Sequence, residues 1–230
     1  MNNYFLSFFY FRYFTQSKFK NFMHRKHILF IIFIFFISPS KAQNFKAKLF
    51  LGAAGSQVSG DELSGFNKGS ALLGLGVTYP VKSTSALSLQ LYYLQKGSRK
   101  PSKLDQGDPS TYLMRLNYVE STITYDFSLS RKLYLRIGPS IGYLASFKEE
   151  DQDGPLGNRS KFSPIDISLA GALGFPFSNS WNFEFGYLQS ILPIREHGSG
   201  ETYYLNKGQY NSVITFTLVK SFGNKTEKSE

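Results

Sequence analysis

The chain has 230 residues, no cysteine and a net charge of +10. Its length fits one domain or two small ones, and the lack of cysteine excludes a disulfide scaffold, a cysteine-ligated zinc site and a thiol nucleophile. A basic charge is typical of nucleic-acid-binding proteins, but residues 1–42 carry six of the 26 cations and no acid. The other 20 cations are scattered among 16 acids, so we expect no nucleic-acid partner.

The N-terminal segment has the pattern of an export signal. Arg25 and Lys26 precede residues 28–37, which are ten consecutive apolar residues. As a helix this run would rise about 15 Å, whereas a bilayer core needs about 30 Å. A basic start followed by a short apolar core predicts a secretory signal peptide rather than a membrane anchor.

The domain limits follow from the cleavage site. Ser40 and Ala42 are the small residues expected at positions −3 and −1, so cleavage is predicted before Gln43. The predicted divisions are an N-terminal extension or mis-assigned start, a signal peptide, a barrel domain and a polar C-terminal tail, at residues 1–22, 23–42, 43–222 and 223–230.

From residue 43 onward the apolar residues alternate with period two, which is typical of half-buried strands. In residues 181–187, for example, Trp181, Phe183 and Phe185 alternate with Asn182 and Glu184. The eight predicted strands are 45–57, 69–81, 86–97, 116–129, 133–147, 165–175, 181–191 and 210–222.

The connections between these strands alternate between short and long. Residues 82–85, 130–131 and 178–180 are short, and the four longer polar connections are 58–68, 98–115, 148–163 and 192–207. In an up-and-down sheet every second connection lies at the same end, so one end carries tight turns and the other carries long loops. Outer-membrane barrels have this arrangement.

The composition of the two strand faces distinguishes a membrane barrel from a soluble one. One face is uniformly bulky and apolar, and the other is mostly Gly, Ser, Thr and Ala with isolated charges. Eight strands enclose a lumen just wide enough for side chains to fill, which suits the small residues, and the bulky face then contacts lipid. The predicted fold is an all-β, eight-stranded, antiparallel, up-and-down transmembrane β-barrel.

Two sets of residues are predicted to have defined places in this barrel. Charged residues on the small-residue face form a candidate polar network in the lumen, and they are Glu120, Asp126, Arg136, Asp166 and Glu184. Buried carboxylates require cations or hydrogen-bond donors, and Asp126 and Arg136 are expected opposite each other across the tight turn at residues 130–131. The network is predicted to plug the lumen, with a narrow polar pore as the alternative.

Aromatic residues cluster beside the short turns and form a candidate interface belt. The predicted members are Tyr79, Phe127, Phe175, Phe177, Trp181, Phe183 and Phe222. A second set lies towards the long loops and consists of Tyr93, Tyr143, Phe147, Tyr187 and Tyr210. The alternative explanation is the general preference of strands for aromatic residues.

Several segments resemble the PorT family of outer-membrane β-barrel proteins of Bacteroidota-type bacteria. They are residues 87–97 (LSLQLYYLQKG), 116–120 (LNYVE), 135–144 (LRIGPSIGYL) and 57–60 (QVSG, between Gly52 and Gly69). The family usually has Pro two residues after the glutamate, where this chain has Thr122. The resemblance implies an eight-stranded outer-membrane barrel, and it associates the family with protein secretion without assigning an activity.

Two loop segments contain residue types found in functional sites. Residues 196–201 (EHGSGE) contain Ser199, His197 and two glutamates, which are the residue types of a hydrolase triad. The segment is a Gly-rich loop, whereas triads need a rigid scaffold, so we expect a solvated loop and no enzymatic activity.

Residues 149–154 (EEDQDG) begin like a calcium loop, but the twelfth position is Ser160 instead of the bidentate glutamate. We therefore expect a solvated acidic loop here, with weak divalent-ion binding as the alternative. No cofactor is expected.

The predicted function is a non-enzymatic, structural or interaction role in the outer membrane. The expected partners are membrane lipid and envelope proteins that contact the long loops. The alternatives are an accessory component of a secretion apparatus, a lipid-modifying enzyme and a narrow pore.

Overall fold

The computed structural model of the protein describes residues 45–157, 161–197 and 207–223. The predicted extension and signal peptide, and residues 224–230 of the predicted tail, lie outside the described residues. In the part that is described, no helix is long and apolar enough to span a membrane.

Eight long strands make up the described fold. They are β1 (Lys46–Ser59), β2 (Lys68–Lys82), β3 (Ser85–Lys96), β4 (Tyr112–Ser130), β5 (Leu133–Asp151), β6 (Ile165–Pro176), β7 (Trp181–Ser190) and β8 (Tyr210–Phe222). Two-residue strands at Arg99–Lys100 and Gly154–Pro155, and one turn of 3-10 helix at Leu104–Gln106, lie in the loops.

The sheet closes on itself. Each long strand pairs antiparallel with its neighbours in sequence, and β1 pairs with β8 from Ala47↔Phe222 to Ser59↔Tyr210. Closure gives every long strand two partners, so the backbone hydrogen bonds are satisfied without help from solvent. The predicted eight-stranded antiparallel up-and-down barrel is confirmed.

The two faces of the wall are chemically different. Leu75 and Leu91 on the outer face are 65% and 55% exposed, whereas Ser140 and Ser168 on the inner face are 0% exposed. Alternating side-chain directions along each strand produce this division. The apolar band therefore covers the outside, as in membrane barrels. The lumen is filled by polar residues together with a buried apolar cluster that includes Phe50, Leu72 and Leu94.

The strands β4 and β5 extend further than predicted. They begin and end at Tyr112 and Asp151 and stay paired to their tips, where Tyr112 lies opposite Asp151. The short strands Arg99–Lys100 and Gly154–Pro155 pair with them on either side. We call residues 112–115 of β4, residues 148–151 of β5 and these two short strands the raised rim. Both faces of this part carry polar residues, so the alternation that predicted the strands stops before the strands do.

A bulge in β5 changes which side chains face inward. The register moves from Tyr118↔Leu144 to Asn117↔Ser146, so one extra residue lies in β5. Phe147 then lies opposite Leu116, and its ring packs 5.2 Å from that of Phe162. Simple alternation groups Phe147 with Tyr143 on the outer face, whereas the bulge reverses the phase and aligns Phe147 with the buried Leu116. The Phe147 side chain is nevertheless 56% exposed.

Candidate functional site

The polar lumen is the candidate site. The five residues of the predicted network are all buried, and they are Glu120, Asp126, Arg136, Asp166 and Glu184. The structure separates them into two groups. One group lies near the short turns and the other lies near the long loops.

The turn-side cluster consists of Arg136, Asp126, Glu184 and Lys48. Arg136 Nε and Nη2 donate to the two carboxylate oxygens of Asp126 at 3.0 Å each, and Nη1 donates to Glu184 Oε2 at 3.1 Å. Lys48 Nζ lies 3.7 Å from Asp126 Oδ2. Two cations face two carboxylates, so the formal charges balance.

Neutral groups complete this cluster. The hydroxyls of Ser88 and Thr124 donate to Asp126 at 2.7 and 3.0 Å, and the Tyr134 hydroxyl donates to Glu184 at 2.5 Å. Tyr134 fits because Gly174 has no side chain: a Cβ there would lie 2.0 Å from the Tyr134 ring. The small residues of the inner face therefore make room for the ionic contacts.

The loop-side cluster consists of Lys96, Glu120 and Asp166. Lys96 Nζ lies 2.6 Å from Glu120 Oε1 and 2.8 Å from Asp166 Oδ2. The side chains of Lys96 and Glu120 are 0% exposed. One ammonium thus lies between two carboxylates, and the formal charge of this cluster is −1.

Hydroxyl and amide donors compensate part of this excess negative charge. Ser140 Oγ donates to Glu120 Oε2 at 2.8 Å, and Ser168 Oγ and Asn211 Nδ2 donate to Asp166 at 3.0 and 2.9 Å. Thr122, which stands where the PorT pattern usually has Pro, shares a 2.7 Å hydrogen bond with Ser140. Polar donors of this kind are required when carboxylates are buried.

The predicted network lacked two of its three cations, Lys48 and Lys96. Period-two alternation along residues 86–97 places Lys96 on the same face as Ser88 and Gln90. The predicted set also contained four acids and one cation, an imbalance that itself required further cations. These two signals together could have identified Lys96, whereas Lys48 lies in a strand with weak alternation.

A small cavity separates the two clusters. Its volume is about 50 Å³, and its lining includes Gln90, Thr122, Arg136 and Glu184. At about 10–15 Å³ for each water molecule, the cavity has room for only a few waters. The lumen is therefore filled by side chains at the levels of both clusters.

An apolar layer covers the loop-side cluster. Its buried members are Val58, Met114, Leu116, Tyr118, Phe162 and Ile194. Phe162 and Ile194 come from the connections after β5 and β7, and the backbone of Ile194 bonds to Ser163 and Gln209. Segments of two long connections thus fold inward and close the mouth of the barrel.

A buried ion pair holds this closure in place. Arg195 Nη1 and Nη2 donate to Glu149 at 2.8 and 3.1 Å, and Arg195 Nε donates to Gln209 Oε1 at 2.9 Å. Tyr112 also donates its hydroxyl to Glu149. Burial by itself would lower the pKa of the Arg195 guanidinium, but the hydrogen bonds and charge of Glu149 raise the pKa above its usual value.

The acidic segment after the bulge does not form one cluster. Glu149 faces inward to Arg195, whereas Glu150 lies on the other face, with its Oε2 2.5 Å from Lys148 Nζ. Residues 149–151 belong to β5, so the prediction of a solvated loop here was wrong. Within the described ranges, no group of three or more His, Cys, Asp or Glu side chains is placed to hold a metal ion.

The triad hypothesis concerns residues that are only partly described. Glu196 and His197 lie in the connection after Arg195, whereas Ser199 and Glu201 are outside the described residues. The triad therefore stays a hypothesis from the sequence.

Most of the candidate belt residues project from the turn-side part of the wall. Those exposed on its outer surface are Tyr79, Phe127, Phe175, Phe177, Phe183 and Phe222. Trp181 is half-buried, and Lys220 Nζ lies 4.6 Å from the centre of its ring. This placement is compatible with a membrane interface, and the belt stays a prediction.

Gly171 lies on the outer face, in register with Ile137 and Tyr187, unlike the inner glycines. A Cβ at Gly74 would lie 2.4 Å from Tyr92 Cβ, but a Cβ at Gly171 would meet only Arg136 O at 3.9 Å. Strand crowding therefore explains the glycine at position 74 and does not explain the glycine at position 171.

Comparisons with known proteins identify a family and several similar solved structures. Residues 34–196 match the family model described as outer membrane protein beta-barrel domain, and no curated protein matches the chain. Similar solved structures include Ail of Yersinia pestis (13% identity, TM-score 0.45, 77% of this chain and 97% of that chain). They also include Neisserial surface protein A (12%, 0.45, 78% and 97%) and OprG of Pseudomonas aeruginosa (13%, 0.39, 79% and 97%).

The family match covers well over half of the chain and includes most of the barrel. It supports the general family of the sequence resemblance, while membership of the PorT subgroup stays an expectation from the motifs. The chain belongs to the outer membrane protein beta-barrel domain family, and it is an outer-membrane β-barrel protein.

Proposed function

We propose that this protein is a closed, non-enzymatic barrel that anchors the raised rim and the long loops in the outer membrane, where they contact another envelope protein. The filled lumen supports this proposal most directly. Lys96 and Glu120 are 0% exposed at the level of the loop-side cluster, and the Arg195–Glu149 pair and the apolar layer close the mouth above them. A narrow pore fits this lumen less well.

The raised rim is the part best suited to contact a partner. It extends beyond the ends of the other strands, and its cross-strand pairing with Arg99–Lys100 and Gly154–Pro155 gives it a defined conformation. Loops held on a rigid scaffold commonly carry binding functions. A partner can therefore bind here at a small cost in conformational entropy.

A capture experiment from outer membranes tests this role. The tagged mature protein is compared with a variant in which residues 101–110 are replaced by a Gly-Ser segment of equal length. The control variant, Arg131→Gln with Lys132→Gln, changes the turn-side end instead. We expect the wild type and the control variant to capture the same envelope protein. The loop variant should not capture it.

The identity of the captured protein also tests the narrower alternative. Capture of a secretion complex would favour the accessory role that the PorT resemblance implies. Equal capture by all three forms, or by none of them, would contradict the proposed presentation of the loops.

We further propose that the mature protein begins at Gln43, after removal of the signal peptide. The short apolar core and the small residues before this position support cleavage here. The intact mass of the protein purified from outer membranes tests the assignment, and retention of residues 23–42 would contradict it.

A further inference from the structure

The outer face of β3, β4 and β5 changes in character towards the long loops. Leu91 and Ile141 lie on one rung and are strongly exposed to the lipid side. The next rung carries Tyr93 and Tyr143, on either side of Val119. Aromatic rings with a polar tip are typical of the boundary between hydrocarbon and headgroups, so this rung marks the membrane interface.

The following rung is polar and connected by hydrogen bonds. Tyr93 Oη and Gln95 Nε2 both donate to Asn117 Oδ1 at 2.8 Å, and Asn117 Nδ2 donates to Ser146 Oγ at 2.8 Å. Amide groups exposed on the outer wall are costly in hydrocarbon. The headgroup region therefore begins at this level.

Directly above this rung, two cations lie opposite each other. Arg115 pairs in register with Lys148, and like charges in directly opposite positions destabilise a sheet. Lys148 is 54% exposed and lies 2.5 Å from Glu150, so one acid neighbours two cations. The local charge remains positive.

A third cation lies one rung further from the membrane. Arg99 lies opposite Leu113 and is therefore the diagonal neighbour of Arg115 on the outer face. Lys68 Nζ also donates to Gln95 Oε1 at 2.8 Å, but the Lys68 side chain is buried and does not contribute to the outer surface. We call the three residues Arg99, Arg115 and Lys148 the basic rim.

The height of the basic rim matches the lipid headgroups. Arg115 lies four residues beyond Val119 on β4, which is about 13 Å along a strand and about 10 Å along the membrane normal at a tilt of about 40°. The headgroup region is about 5–8 Å deep on each side of the hydrocarbon core. Long arginine and lysine side chains reach the headgroup region from that height.

We propose that the basic rim binds the phosphate group of a lipid in the loop-side leaflet. The cations project from the same outer face that contacts acyl chains, so a lipid can place its chains on Leu91 and Ile141 and its phosphate between Arg115 and Lys148. The phosphate would relieve the repulsion between these two cations, and it would accept charge-assisted hydrogen bonds from both. Arg99 belongs to the raised rim as well, but the lipid site does not require the proposed protein partner.

Native mass spectrometry of the folded mature protein tests the proposal. The probes are monophosphoryl lipid A, the same lipid with its phosphate removed, phosphatidylglycerol and inorganic phosphate. We expect the wild type to retain the phosphorylated lipid A at least ten times more than the dephosphorylated form. Retention should fall steeply with salt, and an equal concentration of inorganic phosphate should not displace the lipid.

The matched variants remove equal charge at the two ends of the barrel. Arg115→Gln with Lys148→Gln should lose at least tenfold in retained lipid, whereas Arg131→Gln with Lys132→Gln at the turn side should lose none. The exchange Arg115→Lys with Lys148→Arg keeps the charge and should retain the lipid. Heat-modifiable gel mobility confirms that each variant is folded.

Three results would overturn the proposal. The first is equal retention of the phosphorylated and dephosphorylated lipids by the wild type, a comparison that needs no variant. The second is an equal loss of lipid in both charge-removing variants. The third is displacement by inorganic phosphate at equal concentration, which would show a site for a free anion. Retention of phosphatidylglycerol in place of lipid A would support a phosphate site at the basic rim and would identify the bound lipid as a phospholipid.

Discussion

The two ionic clusters of the lumen neutralise their buried carboxylates in different ways. In the turn-side cluster, Arg136 and Lys48 face two carboxylates, and Arg136 binds Asp126 through two parallel hydrogen bonds. In the loop-side cluster, Lys96 alone lies between Glu120 and Asp166. The turn-side cluster therefore contains two cations, whereas the loop-side cluster contains only the ammonium of Lys96.

This difference matters because a buried charge is expensive once its partner is removed. The number of cations, rather than the number of contacts, should therefore decide how each cluster responds to substitution. The free energy of unfolding in lipid vesicles, followed through the fluorescence of the single tryptophan, Trp181, measures that response.

The largest effect is expected for Lys96→Met. It leaves Glu120 and Asp166 buried with no cation between them, so we expect a loss of about 3–5 kcal/mol in the free energy of unfolding. Urea titration of the refolded variant measures this loss. A loss no larger than that of Arg136→Met would contradict the proposed difference between the clusters.

A smaller loss, about 2–3 kcal/mol, is expected for Arg136→Met. Lys48 Nζ already lies 3.7 Å from Asp126 and can compensate one carboxylate, although Glu184 loses its ion pair. The control is the combined variant with Lys48→Met. Its loss in the free energy of unfolding should exceed the sum of the losses of the two single variants, because neither Arg136 nor Lys48 then remains beside Asp126 and Glu184.

Many features of the barrel were predictable from sequence because lipid makes the outer face uniformly apolar. Period-two alternation therefore identified the strands and the inner position of Glu120, Asp126, Arg136, Asp166 and Glu184. Alternation weakens beyond the membrane, so it missed the ends of β4 and β5. It also carries no signal for the single extra residue of the bulge, which reversed the side of Phe147.

The contacts themselves depend on register between distant segments. Lys96 meets Asp166 across 70 residues, and Arg195 meets Glu149 across 46. Nothing in the local pattern around Arg195 indicates an inward turn of its segment. Such pairs become visible only when closure of the barrel fixes the level of every strand.

Removing one carboxylate should lower the free energy of unfolding more at the turn-side cluster than at the loop-side cluster. This is the reverse of the order expected when a cation is removed. Glu120→Gln leaves one cation with one carboxylate at the loop side, so we expect a change within about 1 kcal/mol. Asp126→Asn leaves two cations beside one carboxylate, and we expect a loss of about 2 kcal/mol. Both values come from the same urea titration, and a larger loss for Glu120→Gln would show that the charge balance does not control stability.

A modest effect on global stability is expected at the mouth. Arg195→Gln leaves Glu149 with the hydroxyl of Tyr112, and we expect a loss of roughly 1–2 kcal/mol. The local effect should be clearer, because the backbone amides of Ile194 and Gln209 lose protection when the segment opens. Hydrogen exchange measures this directly, and unchanged protection of both amides would contradict the role of the ion pair.

Two ionic clusters and an apolar mouth close the lumen. Single-channel recording in planar bilayers tests this claim most directly, with an open porin as the positive control. The closed barrel predicts no conductance steps from the folded wild-type protein across the usual voltage range. Reproducible ion-selective steps from the wild type would contradict closure and would favour the narrow polar pore.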